Sequence, residues 1–293
     1  MDASNESSVC AVVVTHNRKE LLIRCLSGLA GQTRPVDEIV VVDNASTDDT
    51  PAHVRQEFPG VALLLLPENV GGAGGFNRGI AWGHARGHGW LWLMDDDTLP
   101  EPGALEALLE GGERAPRHAP PLVLASQVLW KDGSLHPMNR PWPRRRPANA
   151  PVLDVNGLVS IRAATFVSVA LRREAMDRFG LPLSHYFIWT DDIEYTARIL
   201  RTENGYLVQE SRVCHWTDRA HSPVSASGSR FYYHVRNSLL LLRGTSLFPL
   251  ERVGYLRYWL GTLGAYLIHN RFRRDAVSIV VRGLRDGFSG GIR

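Results

Sequence analysis

Cysteine is nearly missing from this chain. Cys10, Cys25 and Cys214 stand far apart among 293 residues. They form neither a disulfide framework nor a CxxC metal pair, and a reducing compartment is expected. Long apolar runs are also missing. The longest late uncharged stretch, residues 258–268 between Arg257 and His269, is eleven residues long, against the ~20 that span a bilayer. The first ten residues, MDASNESSVC, are acidic and polar where an export leader is basic and then apolar. The expected location is therefore the cytoplasm, and the sequons Asn5-Glu6-Ser7 and Asn44-Ala45-Ser46 carry no weight. There is no internal repeat. Charged residues make up 22% and hydrophobic ones 44%, which excludes wholesale disorder and allows one large core with an appended subdomain.

The net charge of +3 conceals an asymmetry. From Arg230 onward eleven arginines face only Glu251, Asp275 and Asp286, a local +8, so the preceding part is acidic. That acidity argues against nucleic acid as a partner. The basic, aromatic-rich tail suits an anionic membrane surface, a phosphorylated acceptor or a solvated helical face.

What is present is a succession of short apolar runs, at residues 10–14, 38–42 (EIVVV), 61–66 and 90–94 (WLWLM). Each has the length and continuity of a strand covered on both faces. Between the first two, Asn17-Arg18-Lys19-Glu20 offers a helix start, and Leu21, Leu22, Cys25, Leu26 and Leu29 share one helical face. Strand and helix alternating in this way predict βαβ units and a mostly parallel sheet. Pro-rich segments at 116–121 and 137–151 read as loops, the second carrying Arg144-Arg145-Arg146. A strand is expected at 165–171, helices from about Arg173 and over 191–201, and helices throughout the chain after Ser229.

Five segments carry chemistry. Asp95-Asp96-Asp97 directly follows WLWLM. The carboxyl ends of parallel strands are where open α/β sheets bind ligands, and Asp95 and Asp97 point the same way if the strand persists. Two such carboxylates can hold a divalent cation that also grips a diphosphate; alternatively the acids cap a helix near Pro102. Asp43, in VVDNASTDD, is placed to accept hydrogen bonds from a base or ribose, although such residues also make ordinary turns. Residues 69–79, NVGGAGGFNRG, allow close backbone approach to a ligand, with Arg78 able to meet phosphate, or form a flexible turn. Asp191, Asp192 and Glu194 follow Trp189-Thr190, where a carboxylate could take an acceptor proton or cap a helix. His215 is either structural or a metal ligand completed by Asp95 and Asp97.

The order of VVVTHNR, QTRPVDEIVVVDNASTDDT, NVGGAGGFNRG, WLWLMDDDTLPEP, FVSVALRREA, FIWTDDIEY, VCHW and YYHVRN resembles family-2 glycosyltransferases. Within them it is most similar to the bacterial galactofuranosyltransferases and their rhamnosyltransferase relatives, which act in cell wall polysaccharide biosynthesis. The resemblance implies a GT-A, Rossmann-like, mostly parallel sheet with helices on both faces over 1–228. A C-terminal helical extension would follow over 229–293. It implies that Thr15, Asn17, Arg18 and Asp43 hold the nucleotide of a UDP- or dTDP-sugar. Asn69, Gly72, Arg78 and Asp96 are placed with them on the donor side. Asp95, Asp97 and His215 would hold Mn or Mg. Asp192 would be the catalytic base, Asp191 its neighbour, and Trp189 and Glu194 would face sugar or acceptor. Thr190 departs from the pattern in which tryptophan directly precedes the paired acids. The partners implied are the nucleotide-sugar donor and a glycan or polyprenyl-linked glycan acceptor, with transfer by inversion. Two further expectations are peripheral contact of 230–293 with the inner membrane face and homo-oligomerisation. Specificity is expected in loops such as 137–157. A sugar-nucleotide nucleotidyltransferase and a non-catalytic carbohydrate-binding protein are the competing readings.

Overall fold

The computed structural model describes residues 6–144, 157–217, 224 and 228–290. Asn5, Arg145, Arg146 and most of the 137–157 loop lie outside the described residues. Strand β1 (Val9–Thr15) is buried at every position. It pairs in parallel with β2 (Glu38–Asp43) on one side and β4 (Trp90–Asp95) on the other, and β3 (Ala62–Leu65) extends the sheet beyond β2. The run 61–66 was expected to be covered on both faces, but β3 is the sheet's edge and only half-buried. Helix α1 (Lys19–Ala30) buries Leu22, Cys25, Leu26 and Leu29, as its periodicity predicts. Helix α2 (Thr50–Glu57) leads from β2 towards β3.

The glycine-rich segment departs from expectation, because it is neither loop nor turn. It forms helix α3 (Gly71–Ala85). A Cβ on Gly75 would lie 2.5 Å from Val14 Cγ1, and one on Gly79 2.4 Å from Val12 Cγ1. The close approach that Gly75 and Gly79 permit is therefore between helix and sheet.

The second half reverses direction. After β5 (Thr98–Pro100), α4 (Ala104–Arg114), β6 (Pro121–Trp130), β7 (Trp142–Pro143) and β8 (Val159–Ala163), strand β9 (Val169–Arg172) runs antiparallel between β4 and β6. Its start falls later than the expected 165. Helices α5 (Arg173–Phe179) and α6 (Asp191–Ile199) follow, the latter ending two residues before the predicted Arg201. Strand β10 (Asn204–His215) then pairs parallel with β6 and, at its far end, antiparallel with β5.

Helices α7 (Phe231–Arg243), α8 (Pro249–His269) and α9 (Arg274–Ser289) complete the chain. They share an apolar core built on Phe231, Val235, Trp259, Leu263 and Tyr266. They are also docked on the sheet. Buried Arg162 of β8 donates to Glu251 of α8 at 2.8 Å and to the Ala197 and Ser246 carbonyls. Leu241 and Leu247 pack with Ala163 and Ala197. No described helix is long and apolar enough to cross a membrane.

Candidate active site

Parallel pairing brings three strand ends to one edge. Thr15 stands beside Asp43, and Val14 beside Asp95. Asp43 is 2% exposed. Its Oδ2 accepts from the Ser46 amide at 3.0 Å, while Oδ1, although buried, finds no hydrogen-bond partner among the described residues. A buried carboxylate oxygen left unpaired is costly, and a ribose hydroxyl or base N–H would complete it. Asn17, with φ of +54°, folds over this edge, its Oδ1 accepting from the Thr47 amide at 2.7 Å. Asn44 braces the start of α3, donating to the Gly71 carbonyl and accepting from the Val70 amide, each at 2.9 Å. Asn69 accepts from the Gly71 amide at 2.9 Å, so its side chain is engaged in the turn that starts α3.

The acidic triplet does not cap a helix near Pro102. Strand β10 returns alongside β5, and the Trp216 amide donates to the Asp97 carbonyl at 2.8 Å. This brings His215 to the triplet, with Nε2 3.0 Å from Asp97 Oδ1. Ligand atoms of Asp95, Asp97 and His215 all lie within 4.8 Å of one another. Donors sharing an ion at ~2.1 Å sit at most ~4.2 Å apart across it, so closure by ~0.6 Å brings the widest pair into range. Asn139, which no sequence signal distinguished, accepts from His215 Nδ1 at 2.9 Å and donates to Thr165 at 3.1 Å. That bond orients the imidazole ring with Nε2 towards the acids, as in a metal ligand with an orienting partner. These residues fit a Mn or Mg ion.

Thr15 Oγ1 donates to Asp96 at 2.8 Å. Arg18 donates to Asp97 at 2.6 Å and lies 3.4 Å from Asp96. Here the side-chain contacts of Arg18 are with the acids. Burial and the charges of Asp97 and Asp96 push Asp95 well above the usual carboxylate range. Burial raises Asp96 to about 6. Burial also acts upward on Asp97, but the His215 and Arg18 contacts outweigh it and hold the group at about 2.

The second acidic cluster opens α6. Burial and neighbouring Asp192 raise Asp191 to about 8. Burial raises Asp192 to about 6, opposed by backbone amides of Ile193 and Phe166. Asp192 is half-open and Asp191 buried, so the paired acids differ in access as well as in affinity for a proton. Trp189 and Thr190 precede them with φ of +66° and +73°. Glu194 is differently placed from expectation. It is 6% exposed, and its two oxygens are engaged by Ser246 at 2.7 Å and Arg198 at 3.1 Å. It ties α6 to the chain after α7, an arrangement that does not support a sugar-facing role.

Arg78 is exposed about two turns along α3, where it lines a groove of about 420 Å³ with Glu68, His185, Phe187, Tyr233 and Arg236. Gly72 has open space where a side chain would be.

The family model described as Glycosyl transferase family 2 matches residues 10–177. Galactofuranosyltransferase GlfT1 of Mycolicibacterium smegmatis is 31% identical over 207 residues, 66% of this chain and 66% of that protein. The match thus spans just under two-thirds of that relative's length. The N-acetylglucosaminyl-diphospho-decaprenol L-rhamnosyltransferase of Mycobacterium tuberculosis is 26% identical over 269 residues, 79% of this chain and 82% of that protein. Among solved structures, S. aureus TarS 1-349 in complex with UDP-GlcNAc superposes with a TM-score of 0.63 at 16% identity, covering 98% of this chain and 82% of that one. GalNAc-T7 with UDP, GalNAc and Mn2+ gives 0.55 at 14% identity, covering 80% and 48%. At these identities the likeness concerns the fold, which is the GT-A fold expected.

Proposed function

The chain belongs to glycosyl transferase family 2, and from that premise we propose that it is an inverting, metal-dependent glycosyltransferase. Galactofuranose or rhamnose, carried on UDP or dTDP, is the favoured donor sugar, and a hydroxyl of a glycan or lipid-linked glycan is the acceptor. The observation that carries this reading is the meeting of Asp95, Asp97 and His215 at the strand ends that also present the unpaired Asp43 oxygen. Asp43 takes the nucleoside, with Asn17 and Thr15 shaping the same edge. When bound, Mn or Mg neutralises the charge that develops on the departing diphosphate.

Asp192 takes the proton of the acceptor hydroxyl as that oxygen attacks the anomeric carbon and the bond to the diphosphate oxygen breaks. A base near 6 is largely ionised at neutral pH yet basic enough to be useful, and such catalysis typically supplies ~10²–10⁴-fold. Asp191, held protonated into the neutral range, can donate a hydrogen bond beside it. Trp189 supplies an aromatic face on the sugar or acceptor side.

The C-terminal helices support a contact with membrane. Leu250, Ile268, Phe272 and Phe288 are each more than 60% exposed, interspersed with exposed Arg257, Arg271, Arg274 and Arg282. Exposed apolar and basic side chains interleaved along helices suit the plane of an anionic bilayer interface, where a lipid-linked acceptor resides.

A screen of UDP- and dTDP-sugars with Mn tests the reading. Release of free sugar and nucleoside diphosphate from one donor is expected. Nucleoside triphosphate and sugar 1-phosphate formed from a donor on adding pyrophosphate would instead support a nucleotidyltransferase, and no turnover with any donor or acceptor a binding protein.

A further inference from the structure

The loop before α6 is held in a conformation its own residues do not favour. Phe187, Trp189 and Thr190 have φ of +64°, +66° and +73°, a left-handed region in which non-glycine residues are strained. Two are aromatic and one is β-branched, so none is a residue that adopts it readily. Such a loop persists only where its surroundings over-determine it.

Two neighbours do so. Asn237 of α7 is fully buried, and its Nδ2 lies 2.9 Å from the Tyr186 carbonyl, 2.8 Å from that of Ile188 and 2.8 Å from that of Trp189. One amide group, with two hydrogens, thus faces three backbone oxygens of the loop. Arg236 beside it donates to the carbonyls of His185 and Tyr186, both at 2.8 Å, and its Nε to Asn237 Oδ1 at 2.9 Å. That last bond fixes which end of the Asn237 amide faces the loop. From the other side, the Ala73 amide of α3 donates to the Phe187 carbonyl at 3.0 Å. Gly71 presses so close that a Cβ there would lie 2.0 Å from that oxygen.

We propose that Arg236 and Asn237 are positioning residues of the transfer reaction. They clamp the 186–190 loop so that Trp189 and the Asp191–Asp192 pair stand at a fixed place relative to the metal-binding edge. The clamp rests on the glycosyltransferase reading for its catalytic consequence, but not for its mechanical one. It spans the chain, because a helix after residue 229 sets the geometry of acids that begin α6.

The test uses the full chain carrying Asn237→Ala, with Gly71→Ala as a second variant acting on the same loop from the opposite face. Three readouts are taken. Hydrogen exchange at the Phe187, Ile188, Glu194 and Ala73 amides should quicken about tenfold or more in both variants. UDP affinity in the presence of Mn should stay within a few-fold of wild type, since Asp95, Asp97 and His215 are untouched. Turnover should fall by about 10²-fold with little change in KM for the donor, the scale of a ~1 Å displacement of a catalytic group. Unchanged exchange in both variants overturns the clamp. Faster exchange with undiminished turnover overturns the positioning role. Should the wild-type chain turn over no donor, the glycosyltransferase reading fails, while exchange and UDP binding still decide the mechanical claim.

Discussion

At the scale of single residues, the site consists of two groups of acids with different surroundings. Asp95→Ala or Asp97→Ala should abolish Mn-dependent UDP binding and leave the fold intact. Each removes a ligand atom at a strand end, and no core volume is lost. Calorimetric titration with UDP and Mn checks this, and normal affinity in both variants would remove the metal assignment. Asn139→Ala should weaken Mn affinity by about 10–100-fold, the usual consequence of losing a partner that orients a ligating histidine. An unchanged Mn titration would return His215 to a structural role.

Asp192→Asn should retain donor binding and lose turnover, because an amide cannot accept the acceptor proton; activity within a few-fold of wild type would move the base elsewhere. The sign of the pH dependence follows from the raised value near 6. The base works only when ionised, so at saturating Mn the rate should climb as pH rises through about 6. The apparent value belongs to the Asp191–Asp192 pair rather than to either acid alone. A rate flat from pH 5 to 8 would contradict it.

At the scale of elements, the glycine-rich helix shows how composition and placement diverge. Gly79→Ala would gain up to ~1 kcal/mol of helix propensity. Its Cβ, however, would sit 2.4 Å from Val12 and 2.9 Å from Val42. Valine side chains on strands have few alternative rotamers, so overpacking of ~1–3 kcal/mol should prevail and the variant be destabilised. Gly72→Ala meets nothing within 4 Å and should be neutral or stabilising. Urea denaturation midpoints of the two variants should therefore move apart, and parallel shifts would refute the packing account. The signal for this helix was present in the sequence, since glycine recurs at 71, 75, 79 and 83 with helical spacing. It was obscured by the additional glycines at 72 and 74, which suggest a loop by composition.

At the scale of the whole molecule, the C-terminal helices have two surfaces. One carries Arg236 and Asn237, buried and bonded to the carbonyls of residues 185, 186, 188 and 189. The other exposes Leu250, Val253, Leu260, Ile268 and Phe272. Vesicle co-sedimentation should show binding to anionic and not to neutral bilayers, weakening as salt rises, with each arginine near the surface worth up to about 1 kcal/mol. Absence of binding at low salt would leave this surface as an oligomerisation face. The first four strands and the acids that follow two of them were legible in the sequence, because continuous apolar runs and strand-end carboxylates are local patterns; strands β6 and β10 and the antiparallel course of β9 were not. The bond from Asn139 to His215, the commitment of Glu194 to Ser246 and the clamp of Asn237 on the 186–190 loop were not. Each joins residues 50 or so positions apart or more, with no periodicity to announce it. Only when β10 turns back along β5, and α7 docks behind α6, do these polar groups leave water and require one another as partners.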